Sequence, residues 1–225
     1  MPKSGRVVVV ALLAARTCAA LADTQETQNV WTTWNGSWRF EGRWGLSTDL
    51  TLRSTDDWAD LRSVEVREGV TYAASSRLSL AGGVSMIRNN DAGPDTTETR
   101  LWSQFATPQV LGGARVTHRL RVEERFIQRI GKPQVQATRL RYQTKAQIPF
   151  TEVTYGILQQ EVMAHVAGAR DLNGHAFDQQ RLYAGVGRRF APGTDVEMTY
   201  MHQFLSGRTV DTRGHIVILT LITRF

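Results

Sequence analysis

The stretch Arg213–Phe225, RGHIVILTLITRF, alternates along its length and stops on an aromatic ring. Val217, Leu219, Leu221, Thr223 and Phe225 share one face, and Ile216, Ile218, Thr220, Ile222 and Arg224 share the other, the period-two pattern of an extended strand. A strand closing on Phe, in a chain whose first residues read as an export signal, points to a bacterial outer-membrane β-barrel.

The export signal is expected over residues 1–22. Lys3 and Arg6 precede the apolar run Val7–Ala15, and Ala20-Leu21-Ala22 supplies a small-x-small cleavage pattern. That run is far short of the roughly 20 residues a membrane-spanning helix needs. Cys18 is preceded by Arg16 and Thr17 rather than by small residues, which argues against a lipid anchor. It leaves with the signal as the chain's one cysteine, so disulfides and thiolate metal sites drop out of consideration. Lys3, Arg6 and Arg16 leave as well, lowering the formal charge from +6 to +3. No basic stripe on a nucleic-acid-binding module remains, and no nucleic-acid partner is expected.

Residues 23–225 read as one domain. The segments Asn29–Phe40, Arg43–Ser54, Ser63–Ala74, Arg77–Arg88, Thr97–Pro108, Ala114–Gln128, Ala137–Pro149, Val153–His165, Asp178–Phe190, Thr194–Leu205 and Arg213–Phe225 all have strand character. They are longer than the usual 5 or 6 residues of soluble sheets and suit a tilted membrane strand. A mean hydropathy of −0.29 does not oppose this, because only every second residue of such a strand meets lipid. Tight connections at Phe40–Arg43, Ser75–Arg77, Gln109–Gly113, Phe150–Glu152 and Phe190–Gly193 alternate with longer polar ones, the pattern of periplasmic turns and extracellular loops. Phe40, Tyr72, Phe150, Phe190 and Phe225 fall at the short-turn end with Trp44 beside them, where an interfacial girdle would sit.

Eleven segments are one away from the even count of single-chain bacterial barrels, whose termini share the periplasmic side. An all-β, antiparallel transmembrane barrel of about 12 strands is therefore expected. Asp23 to Trp34 would supply the extra strand by turning at Asn35-Gly36, and ten strands is the alternative.

Alternation alone does not say which face points inward. At 10 to 12 strands an apolar interior would be a large void, whereas a polar one can be filled by long charged side chains and water. Arg115, Arg119, Arg121, Glu123 and Arg125 share one face of their segment; Arg139, Arg141 and Lys145 share another, with Arg181 and Arg189, and Asp195 and Glu197, on two more. An outward Arg at mid-membrane costs about 2–4 kcal/mol, so several per strand must line the lumen. Asp49, Glu65, Glu98, Glu123, Glu161, Asp195 and Glu197 have inward parity and can pair with them. The expected charge network centres on Arg121, Glu123, Arg125, Arg139, Arg141 and Arg181, and removing Arg125 should strand a buried carboxylate. His118 and Glu124 fall on the outward parity, which predicts a bulge or an interfacial position there.

LRVEERFI (Leu120 to Ile127), RLRYQTKAQIPF (Arg139 to Phe150), FDQQRLYAGVGRRF (Phe177 to Phe190) and the terminal strand together resemble the bacterial family catalogued as domain of unknown function 2490. The resemblance runs from about Val30 onward. It implies an outer-membrane barrel inserted by the barrel-assembly machinery, which reads the terminal aromatic, Phe225. It implies no established activity.

The residues offer little chemistry. None of His118, His165, His175, His202 and His215 has a Ser two or three positions away on one strand face, as a lipid hydrolase of the His-x-Ser type would. A triad dispersed across strands stays open. His165 and His175 flank a loop holding Asp171, a spacing more typical of solvated histidines than of a metal site. Gly185 and Gly187 are read as inward glycines that give room to neighbouring Arg side chains. No catalytic residue, metal or cofactor is assigned. The expected function is a non-enzymatic outer-membrane barrel, a narrow passive channel or a structural envelope protein, with outer-membrane lipid as its partner. The alternative is a barrel enzyme acting on lipid or lipopolysaccharide.

Overall fold

The computed structural model describes residues 23–55, 58, 60–90 and 95–225; the expected signal peptide lies outside them. Eleven strands follow one another: β1 (Asp23–Arg39), β2 (Trp44–Ser54), β3 (Leu61–Ser75), β4 (Leu78–Asn89), β5 (Thr96–Leu111), β6 (Ala114–Arg129), β7 (Val135–Pro149), β8 (Thr154–Ala167), β9 (Phe177–Ala191), β10 (Thr194–Leu205) and β11 (Val210–Arg224). Each pairs antiparallel with the next, and β1 closes the barrel against β11 in parallel. A 3₁₀ turn, Ala169–Asp171, sits in the β8–β9 loop.

The expectation of twelve strands, or ten, is corrected to eleven. Asp23 to Trp34 is not a separate strand: β1 runs straight through Asn35-Gly36, in parallel register from Asp23 opposite Val210 to Ser37 opposite Arg224. Both residues of that hairpin signal are used by packing on the two faces of one strand. Asn35 turns inward and donates its Nδ2 to Asp49 Oδ1 at 2.7 Å. Gly36 lies on the outer face, where a Cβ would come within 2.9 Å of both the Trp34 and Trp38 rings.

An odd count separates the two ends of the sheet. The connections after β1, β3, β5, β7 and β9 lie at one end of the barrel, the short-turn end. Those after β2, β4, β6, β8 and β10, most of them longer, lie at the other, the long-loop end. β1 starts at the long-loop end, whereas β11 finishes at the short-turn end, so the expectation of both at one end is also corrected.

Inside and outside separate by parity. Leu101, Phe105, Leu120, Leu158, Leu182, Val186, Met198 and Leu219 are exposed on the outer surface, while Glu65, Glu98, Arg121, Glu123, Arg139, Glu161 and Glu197 are buried within. One interior wall is apolar: Met201, Ile216 and Ile218 pack with Trp31 and Tyr183. The bulge expected at His118 or Glu124 is absent, because β6 keeps continuous register with both β5 and β7. Those two polar groups stand on the outer face with local partners instead. His118 Nδ1 lies 2.9 Å from the Tyr142 hydroxyl and 3.0 Å from Thr144 Oγ1, and Glu124 accepts from Thr138 at 3.0 Å. The register does shift between Met163 and Ala164 on β8, where Phe177 and Gln179 take consecutive partners and Asp178 is the extra residue. Asp178 and Gln179 are both buried as a result.

Candidate functional site: the luminal charge network

A strand repeating Arg at every second residue puts its cations on one face, and neighbouring strands bring further cations opposite. Arg100 on β5 lies directly across from Arg125 on β6, and Arg121 across from Arg141 on β7. Like charges so placed repel. The lumen resolves this by inserting a shared carboxylate beside each cluster. Arg100 and Arg125 both donate Nε and Nη2 to Glu98, at 2.6 and 3.1 Å in each case. Glu123 accepts from Arg139 at 2.5 Å and from Arg141 at 2.7 Å, with Arg121 at 3.8 Å. Glu161 holds Arg141 at 2.8 Å, Arg119 at 3.1 Å and Arg181 at 3.6 Å. Glu65 takes Arg53, Arg67 and Arg100.

Shared arginines connect these clusters. Arg100 joins Glu98 to Glu65, Arg141 joins Glu123 to Glu161, and Arg139 reaches from Glu123 to Asp178 at 2.8 Å. Arginine suits such bridging because its planar fork carries five donors, enough for two carboxylates at once. Towards the short-turn end Lys145 pairs with Glu197 at 2.8 Å, and Glu197 also accepts from Gln147 and from the Tyr155 hydroxyl.

Most of the residues picked from the sequence meet in this network: Arg119, Arg121, Glu123, Arg125, Arg139, Arg141, Lys145, Arg181 and Glu197. Arg115 stands apart, exposed at the short-turn rim, where it lines a pocket of about 180 Å³ with Gln147, Tyr155 and Asp195. Arg125 is less critical than its position implies, since Glu98 keeps Arg100 when Arg125 is gone. Phe225 lies outside the lumen and stacks on Trp38.

The lumen also contains groups that the sequence reading passed over. Arg53, Arg67 and Arg100 have no second Arg two positions away, so no repeated Arg announces a face. Asp178 has the wrong parity until the bulge turns it inward. There it pairs with Arg139 and with His165 Nε2 at 3.4 Å, so His165, in its expected strand, is buried and not solvated. Trp102 and Trp31 turn inward and meet cations: Arg121 lies 4.6 Å over the Trp102 ring, and Arg53 and Arg181 lie 4.7 and 5.4 Å from the Trp31 ring. Gly187 makes room for an aromatic ring and not for an Arg: a Cβ there would sit 2.7 Å from the Tyr155 hydroxyl oxygen. At Gly185 the close neighbour is the backbone of Met198 and Thr199.

The network leaves space along the axis. A central cavity of about 400 Å³ extends from Trp31 to Lys145, and a second of about 370 Å³ opens at the long-loop end. Trp31, Arg53 and Arg181 line both and form the boundary between them. On the other side, Glu197 and its bonds to Lys145, Gln147 and Tyr155 separate the central cavity from the short-turn pocket. Among the described residues no group of three or more His, Cys, Asp and Glu is gathered to hold a metal ion.

A family model described as a protein of unknown function, DUF2490, matches residues 28–213. Comparison with curated proteins gives no match. Among solved structures the chain is similar to one titled "NanC porin structure in rhombohedral crystal form", with a TM-score of 0.50 and 10% sequence identity over 80% of this chain and 89% of that one. At that identity the likeness speaks for the barrel fold alone.

Proposed function

The chain belongs to the DUF2490 family, and on that premise we propose that it is a non-enzymatic barrel of the bacterial outer membrane working as a narrow passive channel. One observation carries the reading: large apolar side chains cover the outer wall while ionised ones fill the interior, with cavities in series between them. In water that outer surface would be a large exposed apolar area; in a bilayer it is the solvent-matched one. The porin-like fold of a solved relative in shape supports the same assignment.

In this reading residues 1–22 direct export, the short turns face the periplasm, and the rings of Phe40, Trp44, Phe150, Phe190 and Phe225 settle at the headgroup level. Outer-membrane lipid is then the main partner, and β11 the strand that the barrel-assembly machinery would read. Purified protein folded into planar bilayers is the test. Discrete conductance steps are expected; a silent bilayer containing folded protein would overturn the channel reading and leave a structural envelope role.

A second reading rests on a different observation. On the outer face near the long loops, the Tyr200 hydroxyl lies 2.6 Å from His215 Nδ1, and His215 Nε2 lies 3.1 Å from Glu26. A histidine oriented by a carboxylate and bonded to a hydroxyl is the arrangement a hydrolase uses, and this one faces the outer leaflet. Lipid hydrolysis that disappears in His215→Ala would favour a barrel enzyme over a channel.

A further inference from the structure

We propose that the central cavity is a binding site for one small solute bearing an oxyanion, a carboxylate or a phosphate, held in transit through the lumen; this deepens the channel reading and rests on it. The first ground is charge. Eight of the side chains lining the cavity are Arg or Lys, against three Asp or Glu. The near balance of the whole chain conceals this partition, because acidic residues also populate the outer face and the loops, as Glu68, Glu124 and Glu152 do. Arg100, Arg139, Arg141 and Lys145 also pair with Glu98, Glu123, Asp178 and Glu197 beyond the lining. The excess therefore rests on Arg53, Arg67, Arg119 and Arg181, which share Asp49, Glu65 and Glu161; a mobile anion supplies the further counter-charge.

The second ground is donor capacity. A carboxylate accepts about four hydrogen bonds, whereas each guanidinium offers five donors. Glu65 and Glu161 are each shared by three arginines, so the N–H groups gathered around each outnumber the roughly four bonds it can accept. Arg53 shows the surplus directly: its Nε is buried and donates to nothing. Arg119 reaches Glu161 through Nη2, which leaves the rest of its fork toward the cavity.

The third ground is shape. About 400 Å³ falls at the lower end of the range of small-molecule sites, about 300–1,000 Å³, enough for a small organic acid or phosphate ester and not for a polymer segment. Trp31, with Arg53 and Arg181 over its ring, forms the boundary towards the long loops, and the Lys145–Glu197 pair forms the opposite one. A solute entering from the long-loop end meets cations at the threshold and again inside. Rings of Arg select anions in this way.

Two measurements test the proposal, using the full-length folded barrel. In planar bilayers under a KCl gradient, the reversal potential should report anion preference, and added inorganic phosphate or succinate should reduce the chloride current. A conducting protein that prefers cations, or whose current neither anion reduces, would overturn the inference while leaving the channel reading intact. Calorimetric titration of detergent-folded protein with phosphate and, separately, succinate needs no conductance. Saturable binding is expected, weakened about tenfold in Arg119→Gln and less in Arg119→Lys, which keeps the charge. Binding of one anion and not the other assigns the solute class. Absence of saturable binding for both in a correctly folded wild-type barrel would overturn the site.

Discussion

Trp38 and Phe225 stack face to face across the parallel seam, their ring centroids 5.1 Å apart and their planes inclined by 11°. Trp38 also meets Trp34 edge-on at 6.2 Å, and Trp34 donates its indole N–H to Thr223 Oγ1 at 3.0 Å. The rings thus clasp β1 to β11, a pair that no turn connects.

That clasp should be measurable. Aromatic pairs contribute about 0.5–1.5 kcal/mol beyond the area they bury. A double-mutant cycle of Trp38→Ala and Phe225→Ala, read by urea unfolding in lipid vesicles, should give a coupling energy in that range. Simple additivity of the two would show that the stacking does not hold the seam.

Glu123 is 1% exposed, with Arg139 and Arg141 both bonded to it. Glu123→Gln takes from Arg121 the carboxylate beside it and from Arg139 and Arg141 one of the two each holds, and should cost about 3–5 kcal/mol. Arg125→Ala leaves Glu98 paired with Arg100 and should cost about 1.5–3 kcal/mol, the value of hydrogen bonds to a charged group. Unfolding midpoints that rank the two variants in the opposite order would contradict this division of the network.

Gly187 has no space for a side chain, because the Tyr155 ring occupies the position a Cβ would take. Gly187→Ala should therefore cost about 1–3 kcal/mol by overpacking and push Tyr155 away from Glu197. A Gly187→Ala, Tyr155→Phe double variant retains the ring and should recover little; Gly187→Ala, Tyr155→Ala should recover most of the overpacking loss. Unfolding measurements on the three chains separate these outcomes.

The parallel closure predicts opposite labelling at the two ends of β1. In a Cys18→Ser background, Thr24→Cys should react with a membrane-impermeant maleimide on intact cells, and Glu41→Cys, in the first short turn, should react only after the outer membrane is permeabilised. Equal reactivity of both would mean that β1 does not cross the bilayer in the way the long-loop and short-turn ends require.

The inward face was easiest to read where one strand repeats its message. β6 carries Arg119, Arg121, Glu123 and Arg125 at alternate positions against Leu120, Val122 and Phe126, and no other arrangement keeps several arginines out of lipid. Arg53, Arg67 and Arg100 give no such signal, because none has a second Arg two positions away, and the carboxylates they share, Glu65 and Glu98, draw cations from neighbouring strands as well. Asp178 was hidden for a geometric reason. Parity counting assumes an unbroken pleat, and the β8–β9 bulge changes the count by one at that residue. The strand number failed at Asn35-Gly36, where a strong local turn preference gives way to the parallel pairing with β11 and to the two Trp rings beside Gly36.

Ten strands make five hairpins, each joined by a tight turn, and the eleventh has no such companion. Joining β1 to β11, as at Asp23 and Val210, brings together the paired strands most distant in the chain, at the entropic cost of closing the largest loop between any two neighbours of the sheet. Until that ring is joined, β1 and β11 both present raw hydrogen-bonding edges, which makes the unclosed sheet the species most exposed to pairing with the wrong chain.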